Sequence, residues 1–144
     1  MKKLFFVFSA IVLLSSGTVF LSLAQAVNNT KGPQVIAYYF HGIARCSTCY
    51  KLEQYSREVI EGNFKNELSS GKLVFKVVNV EEKGNEHYVK DYQLYTKALI
   101  LSLIKNGQEN KWMNMDKIWE YVRDKKRFMN YVNSEVADFL GQAQ

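Results

Sequence analysis

Beyond residue 33, hydrophobic positions alternate between two periods along the chain. Residues 35–41 (V-I-A-Y-Y-F-H) are rich in branched and aromatic side chains and predict a strand. A short loop through Gly42-Ile43-Ala44-Arg45 follows, and from near Cys46 the spacing changes to that of a helix. Leu52, Tyr55, Val59, Ile60, Phe64 and Leu68 then fall on one apolar face, which Ser69-Ser70-Gly71 ends. Residues 73–80 (L-V-F-K-V-V-N-V) predict a second strand, apolar enough to be buried on both faces. A polar loop leads to a short helix over 87–95 carrying Tyr88, Tyr92 and Tyr95, and residues 98–104 (A-L-I-L-S-L-I) predict a third strand. Asn106-Gly107 is a two-residue hairpin signal, so a fourth, antiparallel strand is expected near 111–113. Met115, Ile118, Trp119 and Val122 mark a short helix, and Phe128, Val132, Val136 and Phe139 a longer one. The order β-α-β-α-β-β-α implies a mixed α/β sheet of four strands flanked by helices, with parallel pairing where helices cross over between the early strands.

The first residues follow a different logic. Met1-Lys2-Lys3 is a basic start, residues 4–23 are mostly apolar, and Ala24-Gln25-Ala26 supplies the small-x-small pattern of a cleavage site. We read 1–26 as a signal peptide of an exported protein, with an uncleaved membrane anchor through 4–23 as the alternative. No cysteine follows the small residues, so a lipid anchor finds no support. Residues 27–33 form a linker, and 34–144 one domain, expected to be a monomer by itself. Of the formal charge of +5, two units belong to Lys2 and Lys3. The remaining basic residues mix with acidic ones, as in Lys51/Glu53, Arg57/Glu58 and Asp124/Lys125. That is an ordinary solvated surface, which excludes nucleic-acid binding as a reading.

The chain has only two cysteines, Cys46 and Cys49, where a loop passes into a helix. Two cysteines cannot form a disulfide framework for a domain of this size, so their spacing requires another explanation. At i and i+3 on a first helical turn they are close enough to bridge. Unpaired N–H groups and the positive end of the helix dipole there favour thiolate. Arg45 adds a positive charge beside Cys46. A ring this short contributes only about 2 kcal/mol through loop entropy, so the bond can be made and broken. Cys46 is therefore the candidate nucleophile and Cys49 the resolving thiol. Glu53, four residues beyond Cys49, is a candidate proton acceptor. His41, at the strand end, is a candidate to stabilise the thiolate or carry its proton. His87 reads as a surface residue. Tyr38 and Tyr39 alternate faces, so one should be buried and the other border the site. No cofactor pattern occurs, and Tyr50 after Cys49 excludes the CxxCH haem motif. Structural zinc would need both His41 and His87, which the spacing does not encourage. A dithiol module for a soft metal or a trivalent arsenical uses the same two sulfur atoms and stays open as the alternative function.

The run Asn79-Val80-Glu81, Tyr92-Gln93-Leu94 and Ala98 to Gly107, taken with the CxxC, resembles the thioredoxin pattern of strand, helix, strand and K-N-G hairpin. More narrowly, Tyr38-Tyr39-Phe40-His41-Gly42-x-x-Arg45-Cys46-x-Thr48-Cys49-x-x-x-Glu53, with Trp112-x-Asn114-x-Asp116-Lys117-Ile118-Trp119, resembles a family of exported thioredoxin-like proteins. Its members are labelled as a nitrophenyl-compound nitroreductase subunit of arsenic-resistance operons. The resemblance implies a thioredoxin-like fold and a thiol-disulfide oxidoreductase at the outer face of the cytoplasmic membrane or in the periplasm. It also implies a redox partner protein, itself membrane-bound or not, in an arsenic or nitro-compound detoxification system. Three departures from thioredoxin stand out. Arg45 replaces the usual Trp, Ser47-Thr48 replaces Gly-Pro, and no proline occurs near 96–99 where a cis-proline faces the dithiol. A trans backbone is expected there, since a non-proline cis bond costs about 2.5–4 kcal/mol. Ser47-Thr48 and Arg45 predict a potential more oxidising than thioredoxin's, which is about −270 mV.

Overall fold

A computed structural model describes residues 32–143. Residues 1–26 and most of the 27–33 linker lie outside the described residues. The chain runs β1 (Gln34–His41), α1 (Ser47–Asn63), α2 (Lys65–Ser69), β2 (Leu73–Asn79), α3 (His87–Asp91), β3 (Ala98–Lys105), β4 (Gln108–Asn114), α4 (Ile118–Tyr121) and α5 (Lys125–Gln142). One sheet holds the strands in the order β2-β1-β3-β4. β1 and β2 pair in parallel, as the crossover through α1 and α2 requires. β3 lies antiparallel to β1 on its other side, and β4 antiparallel to β3. The five-residue α3 therefore carries the chain past β1 and reverses its direction. Asn106 and Gly107 both take positive φ, 54° and 77°, which closes the β3–β4 hairpin with the twist a two-residue turn needs.

The two sheet faces are filled differently. Val35, Ala37 and Tyr39 of β1 and Leu99, Leu101 and Leu103 of β3 point to one face. There they meet Leu52, Val59 and Ile60 of α1 and Phe128, Val132, Val136 and Phe139 of α5. The opposite face carries Ile36, Tyr38, Phe40, Ala98 and Ile100, covered by Tyr88, Tyr92 and Trp112. β1 and β3 are the central strands and are buried on both faces. This architecture is the thioredoxin-like fold: a mixed four-stranded sheet with a CxxC pair at the start of α1.

Some expectations need correction. β2 is an edge strand, with Leu73 fully buried and Lys76 exposed, so its apolar composition overstated its burial. The predicted single helix from Cys46 to Leu68 is broken at Phe64, where φ −120° and ψ 39° leave the helical region. Phe64 is 8% exposed and anchors the break in the core, just after Gly62 and Asn63, both poor helix formers. Tyr38 and Tyr39 are both buried, because both sheet faces are covered. Among the described residues no peptide bond is cis, as the missing proline led us to expect. No helix among them is long and apolar enough to cross a membrane.

Candidate active site

β1 ends at His41, and the loop that follows delivers Cys46 to the N-terminus of α1. Cys46 is the N-cap, with extended backbone at φ −94° and ψ 168°. Its sulfur accepts from the Cys49 N–H at 3.2 Å, the capping position usually held by a serine or aspartate oxygen. Cys46 and Cys49 form a disulfide, with Cα atoms 5.1 Å apart. Cys46 is exposed and Cys49 is 2% exposed. An incoming thiol therefore reaches the Cys46 sulfur first. The helix N-terminus that caps this sulfur also favours its thiolate once the bond opens.

Behind Cys49 stands Tyr39, fully buried, whose hydroxyl donates to the Cys49 carbonyl at 2.6 Å. Burial pushes the Tyr39 phenol up to about 12, so it is neutral and a donor throughout the ordinary pH range. This contact ties the central strand to the first turn of α1. In the sequence this contact leaves one signal, a polar hydroxyl on the otherwise apolar inward face of β1.

Arg45 and Glu53 meet each other. The Arg45 guanidinium donates to the Glu53 carboxylate, which also accepts from Arg57 at 3.2 Å; Arg57 in turn bonds Glu61 at 2.7 Å. Arg45 lies over the Tyr50 ring, 4.3 Å from its centroid, and 5.9 Å from that of Tyr39. Its Nε is buried with no hydrogen-bond partner among the described residues. Burial alone would raise the Glu53 carboxyl, but the bonds and charges of Arg45 and Arg57 outweigh it and hold Glu53 below its ordinary value. Burial works against the charge on Arg45 too, and the Glu53 bond overcomes it and raises the guanidinium. Glu53 is thus a committed ion-pair partner with low basicity, which is a poor fit to the proton-acceptor role expected of it. Arg45 supplies less net charge to Cys46 than an unpaired guanidinium would.

His41 sits at the end of β1, partly buried, with Nδ1 2.9 Å from the Gly42 carbonyl. Its hydrogen bonds do not link it to either cysteine. A carbonyl oxygen only accepts, so Nδ1 is the donor in that contact. His87 is exposed on α3, as expected. On the far side of the site, the Trp119 indole N–H donates to the Lys97 carbonyl at 2.9 Å. It thereby fixes the segment before β3, where thioredoxins place their cis-proline. Among the described residues no group of three or more His, Cys, Asp or Glu side chains is placed to hold a metal ion.

No protein-family model and no curated protein matches the chain. Among the solved structures it resembles are three thioredoxins. That of Fasciola hepatica is 21% identical, covering 67% of this chain and 85% of that one, with a TM-score of 0.40. Thioredoxin f2 of Chlamydomonas reinhardtii is 14% identical, covering 65% of this chain and 80% of that one, with a TM-score of 0.40. Oxidised thioredoxin O2 of Arabidopsis thaliana is 13% identical, covering 67% and 76%, with a TM-score of 0.38. The thioredoxin-like assignment itself rests on the strand order and directions and on the place of the CxxC pair.

Proposed function

We propose that this chain is a thiol-disulfide redox protein that cycles Cys46 and Cys49 between disulfide and dithiol. The observation that carries the reading is the asymmetry of the pair: an exposed, N-capping Cys46 bonded to a buried Cys49. In the oxidising direction a partner thiolate attacks the Cys46 sulfur, the Cys46–Cys49 bond breaks, and Cys49 leaves as thiolate and takes a proton. A second partner thiol then attacks the partner sulfur of the mixed disulfide and releases Cys46. The partner leaves as a disulfide, and two electrons have passed to this chain. The reverse sequence delivers electrons, with Cys49 resolving the mixed disulfide on Cys46.

In this proposal Arg45 and Glu53 are positioning residues, which hold the loop before Cys46 against α1. The proton traffic falls to solvent and to His41 at the end of β1. The motif strings 38–53 and 112–119 support service to a partner reductase in an arsenic or nitro-compound detoxification system. The apolar segment 4–23 supports export and a site of action in the periplasm or at the outer face of the cytoplasmic membrane. The test is exchange with glutathione disulfide, followed by thiol trapping and intact-mass measurement. The reduced chain should oxidise, Cys49→Ser should stall as a one-glutathione adduct, and Cys46→Ser should lose exchange. Full exchange by Cys46→Ser would overturn the reading. So would a reduced pair that never closes but binds a trivalent arsenical one to one, which is the behaviour of a soft-ion carrier.

A further inference from the structure

The two flanks of α1 differ in charge state. On one, Glu53 pairs with both Arg57 and, from the preceding loop, Arg45. Thr48, Lys51 and Tyr55, spaced i, i+3 and i+7, line the other flank. There they form one wall of a groove of about 530 Å³, and Trp119, Val122 and Arg123 form the opposite wall. Thr48 lies between the two cysteines in the sequence, so one end of the groove is within a helical turn of the pair, although neither cysteine lines it. Lys51 and Arg123 are both exposed, and neither makes an ion pair or side-chain hydrogen bond among the described residues. No carboxylate lines the groove. Of the acidic groups nearby, Asp124 caps α5 through the Arg127 N–H, Glu120 pairs with Arg127, and Glu58 pairs with Lys125, while the exposed Asp116 faces a separate pocket on the other side of Trp119. Trp119 is 36% exposed at the rim, held by its bond to Lys97.

We infer that this groove recognises an acidic segment flanking the reactive cysteine of a protein partner. The inference rests on the redox reading of Cys46 and Cys49 and adds the partner's chemistry to it. Two unpaired cations on opposite walls offer separate seats for carboxylates along an extended chain, and Trp119 offers an apolar surface between them and the segment before β3. Opposite charge across such a contact acts mainly on the rate of encounter and falls with salt. Each exposed cation should contribute about two- to threefold, or about fivefold together at low ionic strength.

The experiment measures rate constants for opening the disulfide by four reductants. They are a cysteine nonapeptide with four flanking Glu, the same peptide with four Gln, glutathione, and dithiothreitol, which carries no charge beyond its attacking thiolate. Acidic flanks also raise the peptide thiol's own pKa, so the readout is a ratio of ratios. The Glu-to-Gln rate ratio of the natural chain is divided by that of the Lys51→Gln/Arg123→Gln variant. We expect about five at low salt, falling towards one in 1 M sodium chloride, with the dithiothreitol rate falling no more in the variant than that of the Gln peptide. A value near one at low salt would overturn the inference. So would glutathione gaining as much as the Glu peptide, since the groove would then serve a free tripeptide. Failure of dithiothreitol to open the bond would instead overturn the redox reading beneath it.

Discussion

Replacing Glu53 by Gln removes one negative charge while keeping the side chain's size and one carbonyl oxygen. In the folded protein that carboxylate accepts from both Arg45 and Arg57, and the Arg45 and Glu53 side chains are only 15% and 18% exposed. An exposed pair contributes about 0.2–1 kcal/mol, and breaking one side of a fully buried pair costs about 3–5 kcal/mol. This site lies between them, nearer the lower figure because Arg57 is 43% exposed and keeps Glu61. We expect Glu53→Gln to lose about 1–2 kcal/mol, or about 4–8 °C in melting temperature for a domain of this size. The pH dependence has a definite sign. Glu53's folded pKa lies below its ordinary value, because the two arginines outweigh the effect of burial. A carboxylate so depressed contributes stability in full above its unfolded pKa of about 4.3 and loses it as pH falls through the folded value. Thermal unfolding of the oxidised protein, followed by circular dichroism, should therefore show a constant gap between natural chain and variant from about pH 6 to 8, above the unfolded carboxyl's titration. The gap should close on acidification. Equal melting temperatures at neutral pH, or a gap that persists in acid, would refute the assignment of Glu53 as the centre of a stabilising ion pair.

Other perturbations test other parts of the structure. Tyr39→Phe keeps the ring and removes a buried hydroxyl 2.6 Å from the Cys49 carbonyl, and urea unfolding should show a loss of about 1 kcal/mol. Phe128→Ala empties a fully buried position between α5 and Tyr55, whose ring centroid is 5.5 Å away; a loss of about 3–5 kcal/mol is expected in the same assay. Gly107→Ala places a Cβ at φ 77° in the β3–β4 turn, and should cost about 1 kcal/mol without changing the rate of disulfide exchange.

Much of the fold was legible because its signals are local. The run 35–41 and the run 98–104 are branched and aromatic, and they became the two central strands. Asn106-Gly107 specified its hairpin by backbone chemistry alone. The buried positions of α5, Phe128, Val132, Val136 and Phe139, are those the helical spacing picked out. What was less legible depends on tertiary context. Composition could not show that β2 lies at the sheet's edge, where Lys76 meets solvent, because strand order is a property of the whole chain. The end of α1 at Phe64 depends on the pull of the core on one aromatic ring as well as on Gly62 and Asn63.

The site divides in the same way. Cys46 and Cys49 at a helix start could be read directly, since loop, spacing and cap are sequence-adjacent. The roles of Arg45 and Glu53 could not, because Arg45 precedes the helix and Glu53 lies in its second turn. Only the fold of the loop brings the guanidinium down onto the carboxylate, which turns a supposed base into an ion-pair partner. Tyr39 was visible as one of two alternating tyrosines, but its bond to Cys49 needs the sheet and α1 docked together.

The most direct test of the central claim is the reduction potential of the Cys46–Cys49 couple in the purified chain, equilibrated against glutathione buffers and read by thiol trapping. The account predicts a reversible two-electron couple less negative than about −270 mV, because an N-capping Cys46 is stabilised as thiolate and so favours the reduced state. A bond that resists reduction below about −300 mV, as structural disulfides do, would contradict it.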